Sequence, residues 1–76
     1  MSLHFGIYRA TVVNRFDPQN KRRLQVVVPD ALGEQATWAE ACVAPGSRAR
    51  PMEGATVWVQ FEGGNAERPV WVGVKP

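Results

Sequence analysis

Proline and glycine cut this chain into short apolar runs that alternate with a period of two, a pattern that shuts out long helices and leaves strands. Pro45, Gly46, Pro51 and Gly54 all fall within residues 44–54, so no helix survives there. Ile7 to Asn14 reads as a first strand, with Tyr8, Ala10 and Val12 alternating against Arg9 and Thr11. Asp17-Pro18 then sets a bend, and Asn20 is able to take positive φ. Leu24 to Val28 is a second strand, stopped by Pro29-Asp30, so the two form a long hairpin. Ala31 to Ala36 reads as a polar loop. Trp38 to Val43 follows as a third strand with Ala39, Ala41 and Val43 on one face; a helix there would be too short to be stable. Ala55 to Phe61 is the clearest strand, with Val57, Val59 and Phe61 inward and Thr56 and Gln60 outward. A turn over residues 62–68 leads to a fifth strand, Pro69 to Val74, whose proline sits at a strand start where its missing N–H does no harm.

Five short strands without a crossover helix predict antiparallel pairing between sequence neighbours. Closing that sheet into a barrel buries its apolar face and removes most edges. The expected fold is thus all-β, a small five-stranded antiparallel barrel without a helix between strands three and four, forming one domain over residues 1–76. Its expected core is Val12, Val26, Val57, Val59, Phe61, Val70 and Val72, with Gly6, Gly73 and the doubled Val12-Val13 allowing bends and bulges. A core this thin usually needs a staple. Cys42 is the single cysteine, so no internal disulfide forms, and it reads as a small core or interface residue. His4 and Cys42 are the only soft ligands, which argues against a metal, and no cofactor is implied. Self-association remains. The apolar residues left on the second strand faces are its candidates: Trp58, Trp71, Val13, Val27 and Val74, with Ile7 beside them.

The ordered set of residues resembles a known family. Asn14-Arg15-Phe16-Asp17-Pro18 leading to Arg23-Leu24-Gln25-Val26-Val27-Val28-Pro29 is similar to the opening of the OB domain in phage baseplate hub-and-spike proteins. The same domain occurs in the baseplate V protein and in VgrG proteins of type VI secretion. The likeness continues through Trp38-Ala39, then Pro51, Gly54 and Val57-Trp58-Val59 to Phe61-Glu62-Gly63-Gly64, and closes on Pro69-Val70-Trp71-Val72-Gly73. Asn65 stands where the family often has an acid, and asparagine suits the same turn. The resemblance implies an OB-type barrel. It also implies a structural role in a phage or phage-like tail baseplate, as a homotrimeric adaptor at the central hub or spike, between a tube-like hub and a needle. Long family members carry hub and needle regions in the same chain; here the expectation is that other tail proteins supply them, and that the C-terminal end points at the needle. The alternative is a free-standing OB domain that binds single-stranded nucleic acid or oligosaccharide.

Other chemistries fare worse. A net charge of +2 is far from the footprint of a dedicated nucleic-acid binder. Lys21-Arg22-Arg23 lacks interleaved aromatics and reads as a solvated hairpin tip, so no specific nucleic acid is expected. Gly63-Gly64 precedes a proline and a strand rather than a helix, which makes it a turn and not a phosphate cradle. Glu34, Glu40, Glu53, Glu62 and Glu67 show no facing pair for glycosidase chemistry, and no nucleophile has an adjacent base. The chain is expected to have no active site. There is no run of about 18 apolar residues to span a membrane. The N-terminus carries no secretory signal, so synthesis in the host cytoplasm is expected, with the virion tail as destination.

Overall fold

A computed structural model describes residues 3–76. Five strands run in chain order: β1 (Tyr8–Asn14), β2 (Leu24–Val27), β3 (Ala36–Ala41), β4 (Thr56–Phe61) and β5 (Pro69–Val74). They close into a barrel in the order β1-β2-β3-β5-β4. This is the expected OB-type barrel, with one correction to its pairing. The sheet is mixed rather than antiparallel: β3 and β4 do not pair, and β3 instead runs parallel to β5, with Glu40 opposite Val70 and Ala41 opposite Trp71. The 14-residue connection from Cys42 to Ala55 is long enough to carry the chain across the end of the barrel, so β4 joins β1 rather than its predecessor.

A single helical turn, α1 (Pro29–Leu32), replaces the start of the polar loop between β2 and β3. Pro29 at its first position has the φ a helix needs and lacks only an N–H that would go unused. Ala31 and Leu32 both donate to the Val28 carbonyl, and Gly33 at φ +65 ends the turn. As expected, no helix stands between β3 and β4; a short 3-10 turn (Glu62–Gly64) links β4 to β5.

The core holds Ala10, Val12, Leu24, Val26, Val28, Ala39, Val57, Val59, Phe61 and Trp71. Val12, Val26, Val57, Val59 and Phe61 are where the alternation puts them. Val70 and Val72 are not: both are half-buried on the outside, and Trp71 fills the core at 1% exposure. The reason lies in the register. Trp71 faces the inward Val59, Gly73 faces the outward Trp58, and Val72 is the extra residue of a bulge between them. A second bulge falls at Val13, between the Val12–Val26 and Asn14–Gln25 pairs. Cys42 lies beyond the end of β3 and is exposed, so it is no core residue.

The strand directions give the barrel two distinct ends. β1, β3 and β5 run one way and β2 and β4 the other. The β1–β2 turn, the β3–β4 loop and the exit after Val74 therefore share one end. The residues before β1, α1 and the β4–β5 turn share the other. At this second end His4 is not frayed. Its N–H donates to the Gly64 carbonyl at 2.9 Å, and its ring packs on Phe61 with centroids 5.3 Å apart.

Candidate functional site

The outer faces of the strands hold the candidate interface residues, and the structure divides them. Trp71 drops out of the set: it is core, and its indole Nε1–H donates to the Arg22 carbonyl at 3.0 Å. Trp58 stands half-buried on the outside of β4, opposite Arg9 of β1, whose guanidinium carbon lies 5.6 Å from the ring centroid. Val74 ends β5 at 43% exposure, and Val13 at the β1 bulge is exposed to the same extent. Val27 on β2 is half-buried and faces outward beside Thr11, which in turn faces Thr56. Two apolar groups result. One lies on β1–β2 and the other on β4–β5, with the outward Arg9 and Thr11 side chains of β1 between them.

Sequence reasoning missed the outward pair Val70 and Val72, having placed both in the core. With Cys42, Gln60, Phe61 and Glu62 they line an open depression of about 380 Å³ on the β4–β5 side. In Val70-Trp71-Val72 both alternations are apolar, so polarity could not choose the inward face. The signal that could have chosen is volume, because the bulkiest side chain gains most by burial.

The hairpin end is built around Asp17. Its side chain is 2% exposed and accepts a bidentate pair from Arg23, Nη2 to Oδ1 at 2.9 Å and Nε to Oδ2 at 3.1 Å. The backbone N–H groups of Gln19, Lys21 and Arg23 also donate to it, at 2.9, 3.0 and 3.2 Å. The Arg23 side chain, foremost, holds the Asp17 carboxyl well below its ordinary value, backbone donors help, and partial desolvation opposes them. The Arg23 guanidinium carbon in turn lies 4.8 Å from the Trp38 ring centroid. Asp17, Arg23 and Trp38 therefore form one lock across the β1–β2 turn and β3. On the β2–β3 face Trp38 is half-buried under Arg23, and its neighbour across the pair is Gln25.

Lys21, Arg22 and Arg23 do not form one basic tip. Arg23 turns inward to Asp17, Arg22 reaches the β3–β4 loop with its Nη1 donating to the Ser47 carbonyl, and Lys21 stays exposed. At the opposite end Gly63 and Gly64, at φ +60 and +77, make the tight turn into β5, where glycine alone is relaxed. Gly64 is buried against the Phe5 ring, and a Cβ there would meet Phe5 Cε1 at 2.8 Å. No group of three or more His, Cys, Asp or Glu side chains is gathered as for a metal among the described residues. Among them, too, no helix is long and apolar enough to cross a membrane.

A search of the curated proteins found no match. A family model, the type VI secretion system and phage-baseplate injector OB domain, matches residues 8–75, from the first residue of β1 to just past β5. That span holds the Asp17–Arg23–Trp38 lock, the paired glycines and the buried Trp71. The chain belongs to the injector OB domain family of phage baseplates and type VI secretion systems.

Proposed function

We propose that this chain is an OB adaptor at the central hub or spike of a phage-type tail baseplate, acting in the virion tail as a homotrimer between a tube-like hub and a needle. Family membership supplies the baseplate context. The observation that carries the finer reading is the path of the chain, which enters at one end of the barrel before Tyr8 and leaves at the opposite end after Val74. A module threaded from end to end can pass axial load along its strands. Its strands close into a barrel, which leaves little free sheet edge beyond the start of β3.

Three copies around a tail axis need contact surface. The outward residues Trp58, Val70 and Val72 on β4–β5, with the exposed strand end at Val74, and Val13 and Val27 on β1–β2, supply it from opposite flanks of β1. A threefold ring is heterologous, one flank of each copy meeting the other flank of the next, and two unlike apolar groups suit that geometry. Partners in this reading are other tail proteins, bound through the two barrel ends; the work is structural and calls for no catalytic group.

The test is a reconstruction of the tail end that contains this chain. The expected result is three copies about the axis, with the end bearing Val74 toward the needle. One copy on the axis, or a ring with the Gly63-Gly64 end toward the needle, would overturn the reading. Light scattering of the isolated chain is secondary, since a ring held by small patches can fall apart on dilution.

A further inference from the structure

The charges of the barrel are sorted along its axis. Arg15, Lys21, Arg22, Arg48, Arg50 and Lys75 all lie at the end that carries the β1–β2 turn and the β3–β4 loop, on segments where Glu53 and the already paired Asp17 are the only acids. The other end carries Asp30, Glu34, Glu62 and Glu67 against Arg68 alone. The small net charge of +2 therefore hides a basic face and an acidic face.

On the basic face Arg15, Phe16, Asp17, Asn20, Arg22 and Arg50 line a cleft of about 360 Å³. Phe16 is 60% exposed and stands at the mouth of this cleft. The guanidinium carbons of Arg15 and Arg50 lie 5.2 and 5.9 Å from its centroid, so two cations are held over the ring. The carboxylate inside the cleft cannot neutralise them, because Asp17 is taken by Arg23 and three backbone donors. Glu53 accepts from the Arg15 backbone N–H at 2.9 Å, and neither it nor any other acid forms an ion pair with the Arg15, Arg22 or Arg50 side chains among the described residues. Arg15 Nε, moreover, is shielded from solvent without a protein acceptor. Two guanidinium groups gathered on one exposed ring, with no acid pairing either of them among the described residues, suit a carboxylate ligand.

We propose that this cleft docks an acidic, carboxylate-bearing segment of a partner protein. A nucleic acid fits less well, because the aromatic ring that would stack a base already carries two guanidinium groups. A second copy of this chain, offering its Glu62–Glu67 end, would build an open head-to-tail filament instead of a closed assembly. The inference rests on the cleft and the charge sorting and is independent of the trimer reading, which is tested by copy number in the particle.

The experiment is a titration of ¹⁵N-labelled protein with a blocked hexaglutamate peptide, at low and at physiological salt. The amides of Arg15, Phe16, Arg22 and Arg50 and the Arg15 Nε–H should shift together, with affinity falling as salt rises. Arg50→Gln, an exposed loop substitution, should weaken binding about tenfold, the loss of one charge-assisted contact. Hexaglutamine should leave the spectrum unchanged. Shifts that are absent or fall outside the cleft would overturn the proposal, as would equal binding by Arg50→Gln or tighter binding of an oligothymidylate. In the protein alone, a particle mass that grew past a trimer with concentration at low salt, and that Arg50→Gln abolished, would mark the second copy as the occupant and overturn it equally.

Discussion

Replacing Trp71 by alanine tests the register of β5, on which the division between core and outer surface depends. Trp71 is 1% exposed, against the half-buried Trp58 one strand away. A buried tryptophan removes about 150–250 Å² from water, and at about 25 cal/mol per Å² that is on the order of 4–6 kcal/mol. Part of it is recovered when the cavity relaxes, so Trp71→Ala should cost about 3–5 kcal/mol. The indole N–H to the Arg22 carbonyl adds about 1 kcal/mol, less here because that carbonyl sits in an exposed turn and water can replace the donor. For 76 residues, a stability of roughly 0.05–0.15 kcal/mol per residue gives about 4–11 kcal/mol in all. Trp71→Ala should therefore remove from about a quarter of that stability to all of it. Trp71→Phe keeps most of the volume and should lose about 1–3 kcal/mol, a midpoint shift of roughly 1–3 M urea at a slope near 1 kcal/mol per M. Urea titrations followed by far-ultraviolet circular dichroism read both variants without relying on the altered fluorophore. Trp58→Ala is the control: from outside the barrel it should cost no more than about 1.5 kcal/mol in the monomer. If Trp58→Ala unfolded the protein while Trp71→Ala kept its midpoint, β5 would be shifted by one residue and the assignment of Val70 and Val72 to the surface would fail.

Asp17→Asn should loosen the β1–β2 turn and flatten the acid limb of the stability curve. The folded carboxyl lies well below its ordinary 3.8, so its contribution is complete above that value and is lost as pH falls beneath it. Urea midpoints between pH 5 and pH 2 should thus fall more steeply in the parent than in Asp17→Asn, and parallel curves would refute the lock. Gly64→Ala brings a Cβ to 2.8 Å from the Phe5 ring at φ +77, which should cost on the order of 1–2 kcal/mol from the backbone alone and release the His4–Gly64 hydrogen bond. Unchanged amide exchange at His4 would contradict that packing. Trp58→Arg in an assembled tail should lower the occupancy of this chain while its monomer stays folded; normal incorporation would remove Trp58 from the proposed ring.

Much of the fold was legible because its strands alternate against polar neighbours. In Thr56-Val57-Trp58-Val59-Gln60-Phe61 the threonine and glutamine fix which side faces water, and β4 has the expected inward face. β5 offered no such marker, since valine and tryptophan both prefer burial, and a bulge at Val72 changed the phase midway. The parallel β3–β5 pair was hidden for a different reason. Neighbour-to-neighbour pairing is the shortest closure, whereas a long loop lets non-neighbours meet, and loop length alone does not say which. α1 was missed because one helical turn leaves no periodicity; only Pro29 and Gly33 at its two ends mark it. Of the five candidate interface residues, four keep an outward or partly exposed position and Trp71 does not.

Among the residues that carry the family likeness, those that build the fold can be told from those that face outward. Asp17 and Arg23 lock a turn, Gly54 at φ +90 returns the chain to β1, Gly63 and Gly64 turn it into β5, and Val57, Val59, Phe61 and Trp71 fill the barrel. Each is explained by what it does for the fold, so a match to them establishes a barrel of this kind and a baseplate context. It leaves the neighbour unspecified. What a neighbour would touch is the outward set: Trp58, Val70 and Val72 on one flank, Val13 and Val27 on another, and the arginines around Phe16 at one end. These positions are free to change without unfolding the domain, because none of them fills the core. A small rigid barrel can thus keep its shape while its flanks and ends are refitted to different tails, and the surface chemistry of each chain must be read directly to learn what it joins.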